Sequence, residues 1–150
     1  MRINAFADVC LRILMLLEAA PDGRQLTSRQ IADAVGVPYN HVSKAVGKLR
    51  HLALVHITRG RSGGVAISQM GRQATVGWLL RQLDDRHDVV DCETADGRGC
   101  PLNHQCSLRG AFRRAREAFY RELDDVVVSS LPAPGQMDPV FVTLNTRRPA

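Results

Sequence analysis

The chain has 150 residues, 45% of them hydrophobic, which is enough for one domain with a buried core. Its formal net charge is +5 and lies in the first half: residues 1–72 carry ten Lys/Arg against four Asp/Glu, residues 73–150 ten against eleven. That permits a nucleic-acid partner. No apolar run approaches the roughly eighteen residues of a membrane span, and Asp8 and Arg12 interrupt the first apolar segment, which argues against a signal peptide and for a cytoplasmic protein.

Residues 4–20 read as a helix, with Phe6, Val9, Cys10, Ile13, Leu14, Leu16 and Leu17 near helical spacing and Pro21-Asp22-Gly23 as its stop. Asp8 and Arg12 stand one turn apart, the spacing of a surface ion pair. Cys10 reads as a small core residue. Thr27 and Gln30 form a capping box ahead of Ile31, Ala34 and Val35, and Gly36 ends that short helix. Pro38 suits the first position of the next helix. Its inner side should be Val42, Ala45, Val46 and Leu49, and its outer side Tyr39, Asn40, His41, Ser43, Lys44 and Lys48. Two short helices joined at a glycine, the second polar outside, make a helix-turn-helix, whose second helix enters the major groove by its N-terminal part. A generic helical hairpin is the bland alternative.

Leu54–Ile57 and Val65–Ile67 are short β-branched runs around the tip Thr58-Arg59-Gly60-Arg61-Ser62-Gly63-Gly64. They read as a hairpin, and a hairpin after a helix-turn-helix is a wing. Arg59 and Arg61 at its tip suit a minor groove or phosphates; a solvated turn is the plainer reading. The expected fold class is therefore mainly α with a small β-hairpin wing. Gln73–Asp84 reads as one further helix, with Trp78 as a packing residue.

From Asp91 to Cys106 three of the four cysteines, Cys92, Cys100 and Cys106, are separated by glycine, proline and polar residues. A connection this long in a small domain calls for a job. Seven and five residues between the cysteines suggest an inorganic centre but do not fix which. By residue chemistry alone, Cys10 is available as a fourth thiolate, and a zinc site has His87 or His104 as further choices. Asp8 and Cys10 are about 200° apart around a helix, so they do not share a face. Ser107 then caps a helix running to roughly Val127, striped with Leu108, Ala111, Phe112, Ala115, Phe119, Leu123 and Val126. That stripe exceeds what a small core needs and suits dimerisation. After Ser130 come four of the seven prolines, so the tail is expected to be extended, with a stray edge strand at Val140–Leu144. No catalytic constellation is present, and an enzyme is not expected.

In this order, the Asp8/Arg12 helix, Gly36-Val37-Pro38, the wing and the three-cysteine loop resemble the Rrf family of bacterial winged-helix regulators. Val89-Val90-Asp91-Cys92 and Ala118-Phe119-Tyr120 are similar to its nitric-oxide-sensing repressors of actinobacterial type. The resemblance covers about residues 1–130. It implies a homodimer, double-stranded operator DNA with dyad symmetry, and one 4Fe-4S cluster per protomer. Carried onto this chain, the cluster's ligands are Cys92, Cys100 and Cys106, with Asp8 of the partner subunit as the fourth and Arg12 beside it. Three thiolates leave one iron to a harder carboxylate ligand, the iron open to nitric oxide. The organisation implied is a winged helix-turn-helix over 1–84, a cluster-binding loop over 85–106, a dimerisation helix over 107–130 and the tail over 131–150. Two other functions fit the residues: an iron-supply or redox regulator of the same fold with a 2Fe-2S cluster, and a zinc-binding interaction module with no DNA role.

Overall fold

The computed structural model describes residues 3–21, 24–84, 92, 99–102 and 106–146. In chain order these form α1 (Ala5–Glu18), α2 (Ser28–Val35), α3 (Tyr39–His51), a hairpin of β1 (Val55–Thr58) and β2 (Gly64–Ile67), α4 (Gln69–Gln73), α5 (Val76–Leu83), α6 (Ser107–Glu122), two 3-10 turns (Leu123–Asp125 and Val128–Ser130) and α7 (Asp138–Thr146). The fold is mainly α with a small β-hairpin wing, as the sequence leads one to expect.

The core is built around α1. Asn4 caps it by accepting from the Ala7 amide at 2.6 Å. Ala7, Val9, Cys10, Ile13, Leu14, Leu16 and Leu17 are all buried, because α2, α3, β2, α5 and the second 3-10 turn surround this helix. Ile13, Leu14, Ile31, Leu49, Leu54 and Leu79 are wholly enclosed; each such side chain contributes about 2 kcal/mol of apolar burial. Arg72 Nη1 grips both oxygens of Glu18, at 2.8 and 2.7 Å, and holds α4 against the end of α1.

The Thr27–Gln30 capping box forms in both directions: Gln30 N donates to Thr27 Oγ1 at 3.2 Å, and Thr27 N to Gln30 Oε1 at 2.9 Å. Gly36 closes α2 at φ +68°, a conformation in which a Cβ is strained. Pro38 precedes α3 rather than opening it, so the helix begins at Tyr39. The inner side of α3 is Val42, Ala45, Val46 and Leu49, as expected. The strands pair antiparallel in the register Val55↔Ile67 to Thr58↔Gly64. Leu26, just ahead of α2, exchanges two backbone bonds with Val65 (3.1 and 2.8 Å), which fastens the wing to the helix-turn-helix.

Four expectations are corrected. Gln73–Asp84 is not one helix. The chain leaves α4 at Ala74, which is extended, and starts α5 at Val76. The cause is a bridge to the far end of the chain: Val76 N donates to Val126 O at 2.8 Å, and Val128 N to Ala74 O at 2.9 Å. Trp78 on α5 is 37% exposed and not a core residue. The long helix stops at Glu122, not near Val127, and continues as the 3-10 turns; its sixteen residues give about 24 Å. In place of a strand at Val140–Leu144 there is α7, with Phe141 and Leu144 buried. Arg24 lies 5.3 Å over the Phe141 ring, and α7 packs on α2. The alternation of this segment also fits a helix through Val140, Phe141 and Leu144, and the surface of α2 decides between the two.

Candidate nucleic-acid interface and cysteine segment

Because α3 turns its apolar residues inward, Tyr39, Asn40, His41 and Lys44 stand exposed together on its first turns. Neither α3 nor the wing contains an acidic residue. Arg59 and Arg61 are exposed at the wing tip. The tip is tight: Gly60 takes φ +113°, and Gly63 N donates to Gly60 O at 3.0 Å. A Cβ on Gly63 would land on the Thr58 carbonyl oxygen and 2.9 Å from the Arg59 carbonyl carbon. The glycines are thus needed to present two arginines on a short turn. Sequence reasoning missed Arg29. It is exposed on α2, and its guanidinium lies 5.3 Å from the Tyr39 ring centroid, which places a cation beside the start of α3 and restrains the tyrosine. The signal was available as a basic residue just inside the capping box.

At the other end of the fold, Asn4 Nδ2 donates to Leu83 O at 3.1 Å and joins the start of α1 to the last turn of α5. The three cysteines of the loop are free and half-buried. Cys100 N donates to Cys92 O at 2.6 Å, which brings these two positions side by side across the intervening residues. Cys106, and not Ser107 as expected, is the N-cap of α6, and its sulfur accepts from Arg109 N at 3.4 Å. The capping role goes to the residue whose side chain faces the orphan amides. Residues 85–91, 93–98 and 103–105 lie outside the described residues, and with them His87 and His104, the Val89–Asp91 part of the cysteine entry and most of the 85–106 loop.

The two candidates for a fourth ligand have different environments. Cys10 is fully enclosed in the core, and burial pushes its thiol up to about 12, with Lys48 opposing weakly. A metal takes the thiolate, so Cys10 reads as packing. Asp8 sits on the outer side of α1, 2.8 Å from Arg12, with the two side chains 40% and 53% exposed. The surface ion pair is therefore present within one chain, and its carboxylate is accessible. Three free thiols on one segment and a carboxylate at the surface suit a cluster in donor type. Among the described residues no group of three His, Cys, Asp or Glu stands together as a metal site.

The profile of the Rrf2 family, described as iron-dependent transcriptional regulators, matches residues 3–134. The chain belongs to the Rrf2 family. This family member is 45% identical to the HTH-type transcriptional repressor NsrR of Streptomyces coelicolor over 148 residues, 98% of each chain. It is 30% identical to the regulator NsrR of Geobacillus kaustophilus over 131 residues, 87% of this chain and 89% of that one. Among solved structures it is similar to CymR, the global cysteine regulator of B. subtilis, with a TM-score of 0.66, 21% identity and 87% and 95% of the two chains covered. T. potens IscR gives a TM-score of 0.64 at 13% identity, covering 100% of this chain and 93% of that one. The fold is shared with both. The Rrf2 chain described here is accordingly a winged helix-turn-helix transcriptional regulator, and no described helix is long and apolar enough to cross a membrane.

Proposed function

We propose that this Rrf2-family regulator is a homodimeric repressor whose operator affinity is set by a nitric-oxide-sensitive 4Fe-4S cluster, one per protomer. The observation that carries this reading is the 45% identity, along nearly the whole chain, to a protein named as the repressor NsrR. The cluster would be held by Cys92, Cys100 and Cys106 of one chain and Asp8 of the partner subunit, with Arg12 as the cation that the carboxylate leaves. When bound, it supplies an iron without a cysteine ligand, at which nitric oxide acts. The chain's own residues do the rest: α3 and the wing address DNA, and α6 carries Cys106 at its first turn. Purification without oxygen, followed by iron, sulfide and zinc analysis, tests the reading. About four irons and four sulfides per chain are expected, with bleaching by nitric oxide. Two irons per chain would point to the 2Fe-2S alternative, and stoichiometric zinc without sulfide would refute the cluster altogether.

Dimerisation is assigned to residues 107–130, since Leu108 and Phe112 stand 59% and 39% exposed on α6 of the single chain and an apolar stripe of this kind needs cover. Phe112→Asp should leave a monomer at micromolar concentration in sedimentation; an unchanged dimer would rule this helix out. Operator contact is assigned to Tyr39, Asn40, His41 and Lys44 on α3 and to Arg59 and Arg61 at the wing. Each phosphate contact adds about 0.9 to the slope of log affinity against log salt. Arg59→Ala with Arg61→Ala should therefore lower that slope by nearly two, and affinity by about tenfold or more at moderate salt. A titration in which the double variant binds operator as wild type does would remove the wing from the interface.

A further inference from the structure

The last turn of α5 is tied to α6 by a set of polar contacts that involves neither α3 nor the wing. Arg81 Nη1 donates to Asp124 Oδ1 at 2.7 Å, and Nη2 donates to Asp124 Oδ2 and to Glu117 Oε1, each at 2.9 Å. The guanidinium also lies 5.3 Å over the Tyr120 ring. Glu117, Tyr120 and Asp124 are spaced at three and four residues, so one arginine grips a single side of the α6 segment over two turns. This fork geometry, with a ring beneath it, is one lysine does not reproduce. Contact with Asp124, then Glu117, holds the guanidinium still more firmly in its charged form, and Arg81 holds the Asp124 carboxyl below the usual range. The Tyr120 hydroxyl completes the connection by donating to Asp84.

Asp84 is where the described chain leaves α5 for the cysteine segment, and Cys106 is where it re-enters at the head of α6. Tyr120 and Cys106 are fourteen residues apart on α6, about 20 Å. The segment thus begins beside the fourth turn of α6 and ends at its first. A shift of that segment would therefore act on α6 at both its first and its fourth turn. Arg81 and Tyr120 are the polar groups that would carry such a shift across, and the Asn4–Leu83 bond passes it on to α1.

We infer that Arg81, acting with Tyr120 on Asp84, is a positioning residue that couples the state of the cysteine segment to the winged helix. This rests on the cluster-controlled reading above. A merely structural role would weaken both states alike and leave the ratio of their operator affinities unchanged. The test compares anaerobic operator binding by the cluster-loaded protein and by the same protein stripped with a chelator. It is run on wild type, Arg81→Ala and Tyr120→Phe, with iron and sulfide content and the absorption spectrum recorded for each. In wild type the two affinities should differ on the order of ten- to a hundredfold. In both variants the difference should fall to about threefold or less, with the spectrum and cluster content of wild type. Should Arg81→Ala fail to fold, Tyr120→Phe, which keeps the ring and loses only the hydroxyl, decides alone. Variants that load the cluster and keep the wild-type ratio would overturn the inference while leaving the proposed function standing. A wild type with no cluster, or with equal affinities, removes the functional reading and the inference together.

Discussion

Alanine at any one of Cys92, Cys100 or Cys106 should give a folded protein that has lost nearly all its iron and sulfide and no longer responds to nitric oxide. The three side chains are half-buried and outside the core, so the cluster-free protein should stay within about 0.5 kcal/mol of wild type for Cys92→Ala and Cys100→Ala, while Cys106→Ala also gives up the cap on α6 and costs about 1 kcal/mol. Cys10→Ala should do the opposite. It removes a wholly enclosed side chain, costs about 1 kcal/mol, and leaves iron and sulfide in place. Asp8→Ala, on the surface of α1, should retain fold and most of the cluster content but change the cluster's spectrum and its response to nitric oxide. Metal analysis, absorption and melting curves on these five variants separate the roles. Cluster loss in Cys10→Ala beside an unaltered Asp8→Ala would reverse the fourth-ligand assignment.

Gly77→Ala should be the most destabilising small change in the chain's second half. A Cβ there would land on the Tyr120 carbonyl oxygen and the Asp124 carboxylate, and 2.8 Å from the Asp124 amide nitrogen. Two of these three atoms are backbone, so no side-chain rotation relieves the clash, and α5 must move off α6. Overpacking of this kind costs about 3 kcal/mol. The gain in helix propensity from Gly to Ala is only about 1 kcal/mol, so the clash wins. The melting temperature should fall by several degrees, on the order of 2–4 °C per kcal/mol at this size. A variant as stable as wild type would show that the two helices do not approach so closely in solution.

Much of the winged helix is legible in the sequence because its signals are local. Thr27 and Gln30 announce α2, Gly36 ends it, and the inner residues of α3 recur at helical spacing. The wing needs only β-branched runs around glycines. What the sequence hides is decided by distant partners. Ala74 and Thr75 look helical until Val126 and Val128 arrive to pair with their backbone, although Ser68 and Thr75 were available as capping signals. Val140–Leu144 alternates like a strand, yet α2 offers it a surface that a helix fits. Arg81 carries no local mark; its partners Glu117 and Asp124 lie thirty-six and forty-three residues away. At the cysteine segment the residue types suggested a metal centre and the resemblance named it, and the fold adds the burial that sets Cys10 apart from Asp8.

The backbone bridge between Ala74–Val76 and Val126–Val128 has a consequence for how the chain tolerates being divided. It closes a ring at the foot of α5 and α6, and the chain between Asp84 and Cys106 is part of that ring. A chain made as two pieces, parted between Asp84 and Cys106, keeps the two bridge bonds, the Arg81 grip and the Gly77 contact across the cut. The pieces should find each other and assemble without a covalent link. Peptide continuity through the cysteines is then a matter of local concentration and not of architecture. Lengthening that segment away from its cysteines adds closure entropy only logarithmically, so its length can change while the three cysteines and the part that reads DNA stay as they are.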